Sequence, residues 1–330
     1  MPVTLAQVSL NSTDALQKGV IDEFRKSSFL LDNIPFEPCV SPQGGGATLT
    51  YSYLRVKTES AASFRSMNSE YTVSEAVKEK ISADLKIFGG SYEVDRVLAD
   101  LGGAVNEIDF QSKQKIKSTA ALFNDTFING DSGTDTNAFD GLEKALAGSS
   151  TEFTNDGTAI DLSSASALDS NYMYFLDALD EFLSELDAPP SFIGGNTKLV
   201  AKLRACIRRA SMYTSTRNEL GQLIEQYGNI PIIDFGAKSG SNDDIVATNT
   251  DGTTSLYAGR FGLDGVHAIS LSGSNPVKII LPDFKIAGAV KKGEIEMVAA
   301  IALKSSKSAG VMRNIKVKAA VQTEDEGGTD

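Results

Sequence analysis

The residues able to do chemistry in this chain are few and poorly spaced for it. His267 is the only histidine and lies in Gly265-Val266-His267-Ala268-Ile269. Without a second imidazole it has no metal pair, and the apolar, strand-like run reads as packing. Cys39 and Cys206 are too few for a disulfide framework or a four-ligand zinc site, and two thiols suit a reducing compartment. Gly259-x-x-Gly262-x-x-Gly265 is not a dinucleotide fingerprint and lacks the Lys-Ser/Thr of a phosphate loop. Asp131 to Glu143 is acidic and glycine-containing, but Phe139 stands where an EF-hand needs oxygen. Gly194-Gly195-Asn196 is a turn into a helix. Composition leaves room for a Ser-His-Asp set, yet no Gly-x-Ser-x-Gly elbow occurs. The reading is a chain that is not an enzyme, with no catalytic residue, no metal site and no cofactor.

Composition narrows the class further. With 330 residues the chain can bury a sizeable core in one to three domains. Hydrophobic residues at 41% and charged residues at 22% are ordinary soluble values and indicate neither global disorder nor a membrane protein. The longest apolar run, Met297 to Leu303, is too short to span a bilayer. No positive charge precedes Lys18, so there is no secretory n-region. A net charge of -12 argues against sequence-reading of nucleic acid, which needs a concentrated basic face.

Two elements stand out. From Tyr92 to Gly130, Val94, Val97, Leu98, Leu101, Val105, Ile108, Ile116, Ala120, Phe123 and Phe127 recur at helical spacing, which predicts one helix roughly 50 Å long. Gly102-Gly103 weakens or bends it. Before it, Leu49, Tyr51 and Tyr53 alternate with Thr48, Thr50 and Ser52, a strand period. Val73 to Ile87 fits either period and is taken as the returning strand. Such a hairpin has arms about 40 Å long at ~3.3 Å per residue, with Phe64 and Met67 at a polar tip. A two-stranded ribbon of that length is marginal alone, so its apolar side chains need partners beyond its own domain.

Along the rest, residues 1–28 read as an arm, and Phe29 to Phe36 as an apolar segment held extended by Pro35 and Pro38. Leu168, Tyr172, Phe175, Leu179, Phe182, Leu183 and Leu186 stripe an amphipathic helix whose other face carries Asp177, Asp180, Glu181 and Glu185. Pro189-Pro190 stops it. Ser191 to Gly195 is a short buried strand. Asn196 or Thr197 then caps a basic helix with Lys198, Lys202, Arg204, Arg208 and Arg209, a face open to solvent, DNA phosphate or a neighbour's acids. Gly228 to Asp234 is a strand, and Leu256–Phe261 with Val266–Leu271 a hairpin. Glu294–Leu303 and Ala309–Val317 are strands that return beside the long helix. Val321 to Asp330 is an acidic tail with a disordered composition.

Ser28-Phe-Leu-Leu-Asp-Asn-Ile-Pro-Phe36, Phe64-Arg65-x-x-Asn68-x-x-Tyr71, Leu85-Lys-Ile-Phe-Gly-Gly90, Phe123-Asn-Asp-Thr-Phe-Ile-Asn-Gly130 and Phe139-Asp-Gly-Leu142 follow one another in an order and spacing that resembles the tailed-bacteriophage major capsid proteins. The resemblance implies the Hong Kong 97-type capsid fold, an α+β fold with an N-terminal arm (1–45) and an extended loop hairpin (46–91). A peripheral domain with the spine helix (92–150, completed by 286–318), an axial α/β domain (151–285) and an acidic tail (319–330) follow. It implies a capsid protein assembling as hexamers and pentamers into an icosahedral shell around the phage genome, located in the virion and, during assembly, in the host cytoplasm. Leu49, Tyr51, Tyr53, Phe64, Arg65, Met67, Asn68 and Tyr71 are then the expected inter-subunit contacts of the loop. The implied partners are further copies, a separate scaffolding protein (the chain begins at the arm), a portal, decoration proteins and double-stranded DNA bound without sequence preference, with no membrane. Some relatives join a loop lysine to a neighbour's asparagine. Here Thr58 to Tyr71 has no lysine, Lys57 lies at its base, and Asn314 is the candidate partner, so no covalent mesh is expected. The rival readings are an encapsulin-like compartment shell and a soluble α/β enzyme dependent on His267.

Overall fold

Alternation and helical periodicity coexist in the first third of the chain, and the pairing partners decide between them. The computed structural model describes residues 29–39, 49–100, 107–212, 214–217, 223–271 and 277–320. The arm before residue 29 and the tail from 321 lie outside these residues. Helix α1 (Phe29–Asn33) stands where an extended segment was expected. Pro35 disfavours the helical conformation only at Ile34, the residue before it, so Phe29–Asn33 can still form a turn of helix; Leu30 and Ile34 are both buried, with Ile34 N donating to Leu30 O at 2.9 Å. Strand β1 (Phe36–Pro38) follows.

β2 (Thr50–Thr58) and β3 (Val77–Asp84) form an antiparallel ribbon from Thr50↔Asp84 to Thr58↔Val77. β4 (Lys86–Asp95) continues directly. The long helix therefore does not begin at Tyr92. Tyr92 and Val94 are buried on one face of β4, paired with Gly293 and Lys291, because a fully bonded strand partner outweighs a helical pattern that Gly102-Gly103 weakens. A short helix α2 (Arg96–Asp100) precedes the main helix α3 (Glu107–Asn129), which is about 35 Å long at 1.5 Å per residue. Its N-terminal half is partly polar toward the body, with Tyr92 Oη 2.6 Å from Ser112 Oγ. Its C-terminal half carries Phe123, Phe127 and Ile128 into the core. Phe36, Phe88 and Phe139 gather around Phe123 at ring separations of 5.9–6.5 Å.

Beyond α4 (Leu142–Leu146), β5 (Glu152–Phe153) and β6 (Ile160–Asp161) lead to α5 (Ala165–Ser184). Ser164 Oγ caps α5 by accepting from Ala167 N. β7 (Phe192–Gly195) is fully buried, and α6 (Thr197–Arg209) begins at Asn196, whose Oδ1 accepts from Leu199 N at 2.9 Å. β8 (Thr214–Arg217), β9 (Leu223–Tyr227), β10 (Ile230–Asp234), β11 (Thr253–Gly259), β12 (Val266–Ser270), β13 (Val277–Ile280), β14 (Val290–Leu303) and β15 (Ala309–Lys316) complete the chain.

Two sheets result. In the first, β14 pairs with β4 along Val290–Ala299, with β13 along Glu294–Met297 and with β12 along Ala299–Leu303, and β1 lies outside β12. In the second the order is β5-β15-β11-β7-β10-β9-β8, with β6 also on β15. Side chains of this second sheet alternate between two cores, as a strand period of two requires. Ile193, Ile232, Leu256 and Met312 face α5 and α6, while Phe192, Ile233, Tyr257 and Val311 face the first sheet and α3.

Two expectations are corrected here. Leu256–Phe261 and Val266–Leu271 form no hairpin, because β11 pairs with β7 and β15 whereas β12 pairs with β1 and β14. All five β12 residues are buried, which needs cover on both faces. Ala309–Val317 does not return beside α3, since its alternation fits between the two cores and places it on β11. Glu294–Leu303 does return there, packed with β4 against the helix.

Candidate functional site

Among the described residues, the outer ribbon is a long element that its own body leaves uncovered. Polar pairs tie its strands: Thr50 Oγ1 donates to Asp84 Oδ1 at 2.7 Å, Ser52 and Ser82 hydroxyls are 3.0 Å apart, and Arg55 reaches Glu79 at 2.6 Å. Beyond Tyr53 the apolar side chains Leu54, Val56 and Val77 are exposed. The tip is more extreme. Phe64 is 106% and Met67 88% exposed, and Tyr71 and Val73 are exposed too. Asn68 holds a left-handed φ of 65° in the turn closed by Ser69 N donating to Ser66 O. Arg65 lies 5.2 Å from the Tyr71 ring centroid and donates to Ser66 O and Ser69 O. These apolar side chains are solvent-exposed and close together in sequence.

Phe64, Arg65, Met67, Asn68 and Tyr71 therefore lie together at the tip. Leu49 is half exposed at the base, where its carbonyl accepts from Leu85 N at 2.7 Å. Tyr51 and Tyr53 turn into their own body: Tyr51 Oη donates to Glu37 Oε2 and Tyr53 Oη to Leu303 O, each at 2.7 Å. Leu85, between β3 and β4, is buried in the chain's own core. Sequence reasoning missed the exposed Leu54 and Val56, which the strand period itself would have placed opposite Tyr51 and Tyr53. It also missed a second apolar stretch, Ile279, Ile280, Leu281 and Ile286, exposed at and beyond β13.

Several ionisable groups hold the fold together. His267 is fully buried, and burial together with Lys304 pushes it below the ordinary imidazole range. Its Nε2 lies 3.0 Å from Glu37 Oε2 but out of line for a hydrogen bond. Burial alone would raise Glu37, but its bonds from Tyr51 and Lys304 outweigh that and hold it below the usual carboxylate range. Arg313 binds Glu143 at 2.7 Å and also Glu152, and Tyr257 donates to Glu143, joining α4, β11 and β15. On α6, Lys202 donates to Ser163 O, Arg204 pairs with Glu225, and Arg209 with Asp169 at 2.5 Å. A cleft of about 350 Å³ lies between the ribbon base, Phe139–Ala145 and the end of β14. Its lysines are engaged, Lys144 with Asp131 and Asp140, and Lys86 with Thr136 O. Among the described residues no group of three potential metal ligands occurs, and no helix is long and apolar enough to cross a membrane.

The arrangement of a ribbon, a helix laid across a sheet and a separate two-cored sheet has close counterparts. The encapsulin of the holo-SrpI complex from Synechococcus elongatus PCC 7942 superposes with a TM-score of 0.62 at 15% identity, covering 96% of this chain and 97% of that one. A protein of Mycobacterium phage Bobi gives 0.59 at 11%, covering 95% and 99%. The capsid of a native GTA particle gives 0.53 at 12%, covering 93% and 98%. The chain has the Hong Kong 97-type capsid fold. No protein-family model and no curated protein matches the sequence.

Proposed function

We propose that this chain is the subunit of a closed protein shell, and specifically a major capsid protein of the tailed-phage type. It assembles as hexamers and pentamers into an icosahedral container for double-stranded DNA. One observation carries the reading: a ribbon whose tip exposes Phe64, Met67 and Tyr71 in a chain with a capsid fold. Those side chains gain burial only against another copy, which is the driving force for assembly. In this reading 1–45 is an arm, 46–91 the clamping loop, 92–150 with 286–318 the peripheral domain, 151–285 the axial domain and 319–330 a tail. Leu49, Tyr51 and Tyr53 set the base of the loop, and Phe64, Arg65, Met67, Asn68 and Tyr71 meet the neighbour. No residue is catalytic and no cofactor is used; His267 is a packing residue. A scaffolding protein, a portal and decoration proteins are the further partners, and the place of action is the virion after assembly in the host cytoplasm.

An encapsulin-like compartment is the second reading, favoured by the superposition on the SrpI encapsulin. Sedimentation of the expressed chain, followed by analysis of the contents, separates the two. Large particles that protect DNA from nuclease support the capsid. Particles holding a cargo protein and no DNA support the compartment. A monomer at all concentrations removes both.

A further inference from the structure

One carboxylate oxygen joins the ribbon to two elements of the body. Glu37 sits on β1, the parallel neighbour of β12. Its Oε2 accepts from Tyr51 Oη on the ribbon at 2.7 Å and from Lys304 Nζ, just past the end of β14, at 2.9 Å. The buried His267 of β12 closes the third side, with its ring 6.1 Å from that of Tyr51 and edge-on to it. Lys304 Nζ also stands 5.6 Å from the Tyr51 ring centroid. The second tie, from Tyr53 Oη to Leu303 O, lands on the residue next to Lys304. Past Tyr53, Leu54 and Val56 of β2 are exposed to solvent.

We propose that Glu37 is the joint that sets the angle of the ribbon to the body, acting as a positioning residue for contact between copies. Its charge holds three elements at one point, so two charge-assisted bonds fix the root of an otherwise uncovered lever. From Tyr53 to Thr58 the paired ribbon extends about 17 Å, so a rotation of ~10° at the root moves its far end by roughly 3 Å. That displacement is enough to separate packed side chains, whose contacts fail within about 1 Å. The consequence for particles rests on the shell reading. The joint itself does not.

The test is hydrogen exchange of the full, unassembled chain, with Glu37→Gln and, because a buried charge change can disturb folding, Tyr51→Phe. Both are expected to speed exchange in residues 50–58 and 77–84 at least tenfold and leave residues 112–128 within twofold. Where particles form, their diameters should broaden. Ribbon exchange within twofold of the parent in Tyr51→Phe overturns the joint, as does uniform acceleration across the ribbon and α3 in both variants. If the parent chain forms no particles, the shell reading fails while the exchange comparison still decides the joint.

Discussion

Replacing Phe64 and Met67 together by serine should abolish assembly and leave the subunit intact. Both side chains are almost wholly in solvent, at 106% and 88% exposure, so folding buries neither. Surface substitutions of this kind change folding stability by about 0.5 kcal/mol or less. On contact with a neighbour, each buried side chain contributes roughly 1.5–3 kcal/mol, so losing both removes about 3–6 kcal/mol per ribbon contact. At ~1.4 kcal/mol per tenfold, the threshold concentration for particle formation should rise roughly 10²–10⁴-fold. Urea denaturation of the subunit measures the first quantity, and light scattering across a dilution series measures the second. An unchanged threshold would refute the reasoning, because the tip would then bury nothing. Loss of several kcal/mol in the isolated subunit would refute it equally, because the tip would be packing on its own chain.

Acid should loosen the subunit in two stages. Below about pH 6.5 the unfolded chain protonates His267 while the native state resists, so stability falls with pH; Glu37 adds stability that is complete above about pH 4.3 and is lost as pH falls through its depressed value. Urea midpoints from pH 2 to 8 check this, and His267→Gln should flatten the upper stage; an unchanged slope there contradicts it. Gly293→Ala should cost about 1–3 kcal/mol by overpacking, since its Cβ would collide with the Tyr92 ring between β4 and β14; equal midpoints for variant and parent would show that the ring yields freely. Mature particles should run as single subunits on a denaturing gel, since the loop tip has no lysine and Asn314 donates to its own Thr154 O at 3.2 Å. A ladder of covalent multimers would overturn that expectation.

Locally determined elements were legible in the sequence. The Leu168–Leu186 stripe and the cap at Asn196 emerge as α5 and α6 because their periodicity and capping are complete within a few residues. The Tyr92–Asp95 stretch was not, because Val94 belongs to both a helical and a strand pattern and its partner lies almost 200 residues on, at Lys291. The separation of β11 and β12 depends on the same kind of distant pairing, with Val311 and Leu303 as their respective partners. In the candidate site, Phe64 and Met67 stand out as apolar residues in a polar tip. The anchor does not: Glu37 and Lys304 are 267 positions apart, and no spacing rule joins them.

Cryo-electron microscopy of particles formed by the purified chain tests the central claim most directly. The account predicts closed shells in which the ribbon of each subunit, residues 50–84, lies on a neighbouring copy with Phe64, Met67 and Tyr71 buried between them. Closed shells whose tips remain in solvent, or a chain that stays monomeric at high concentration, would contradict it.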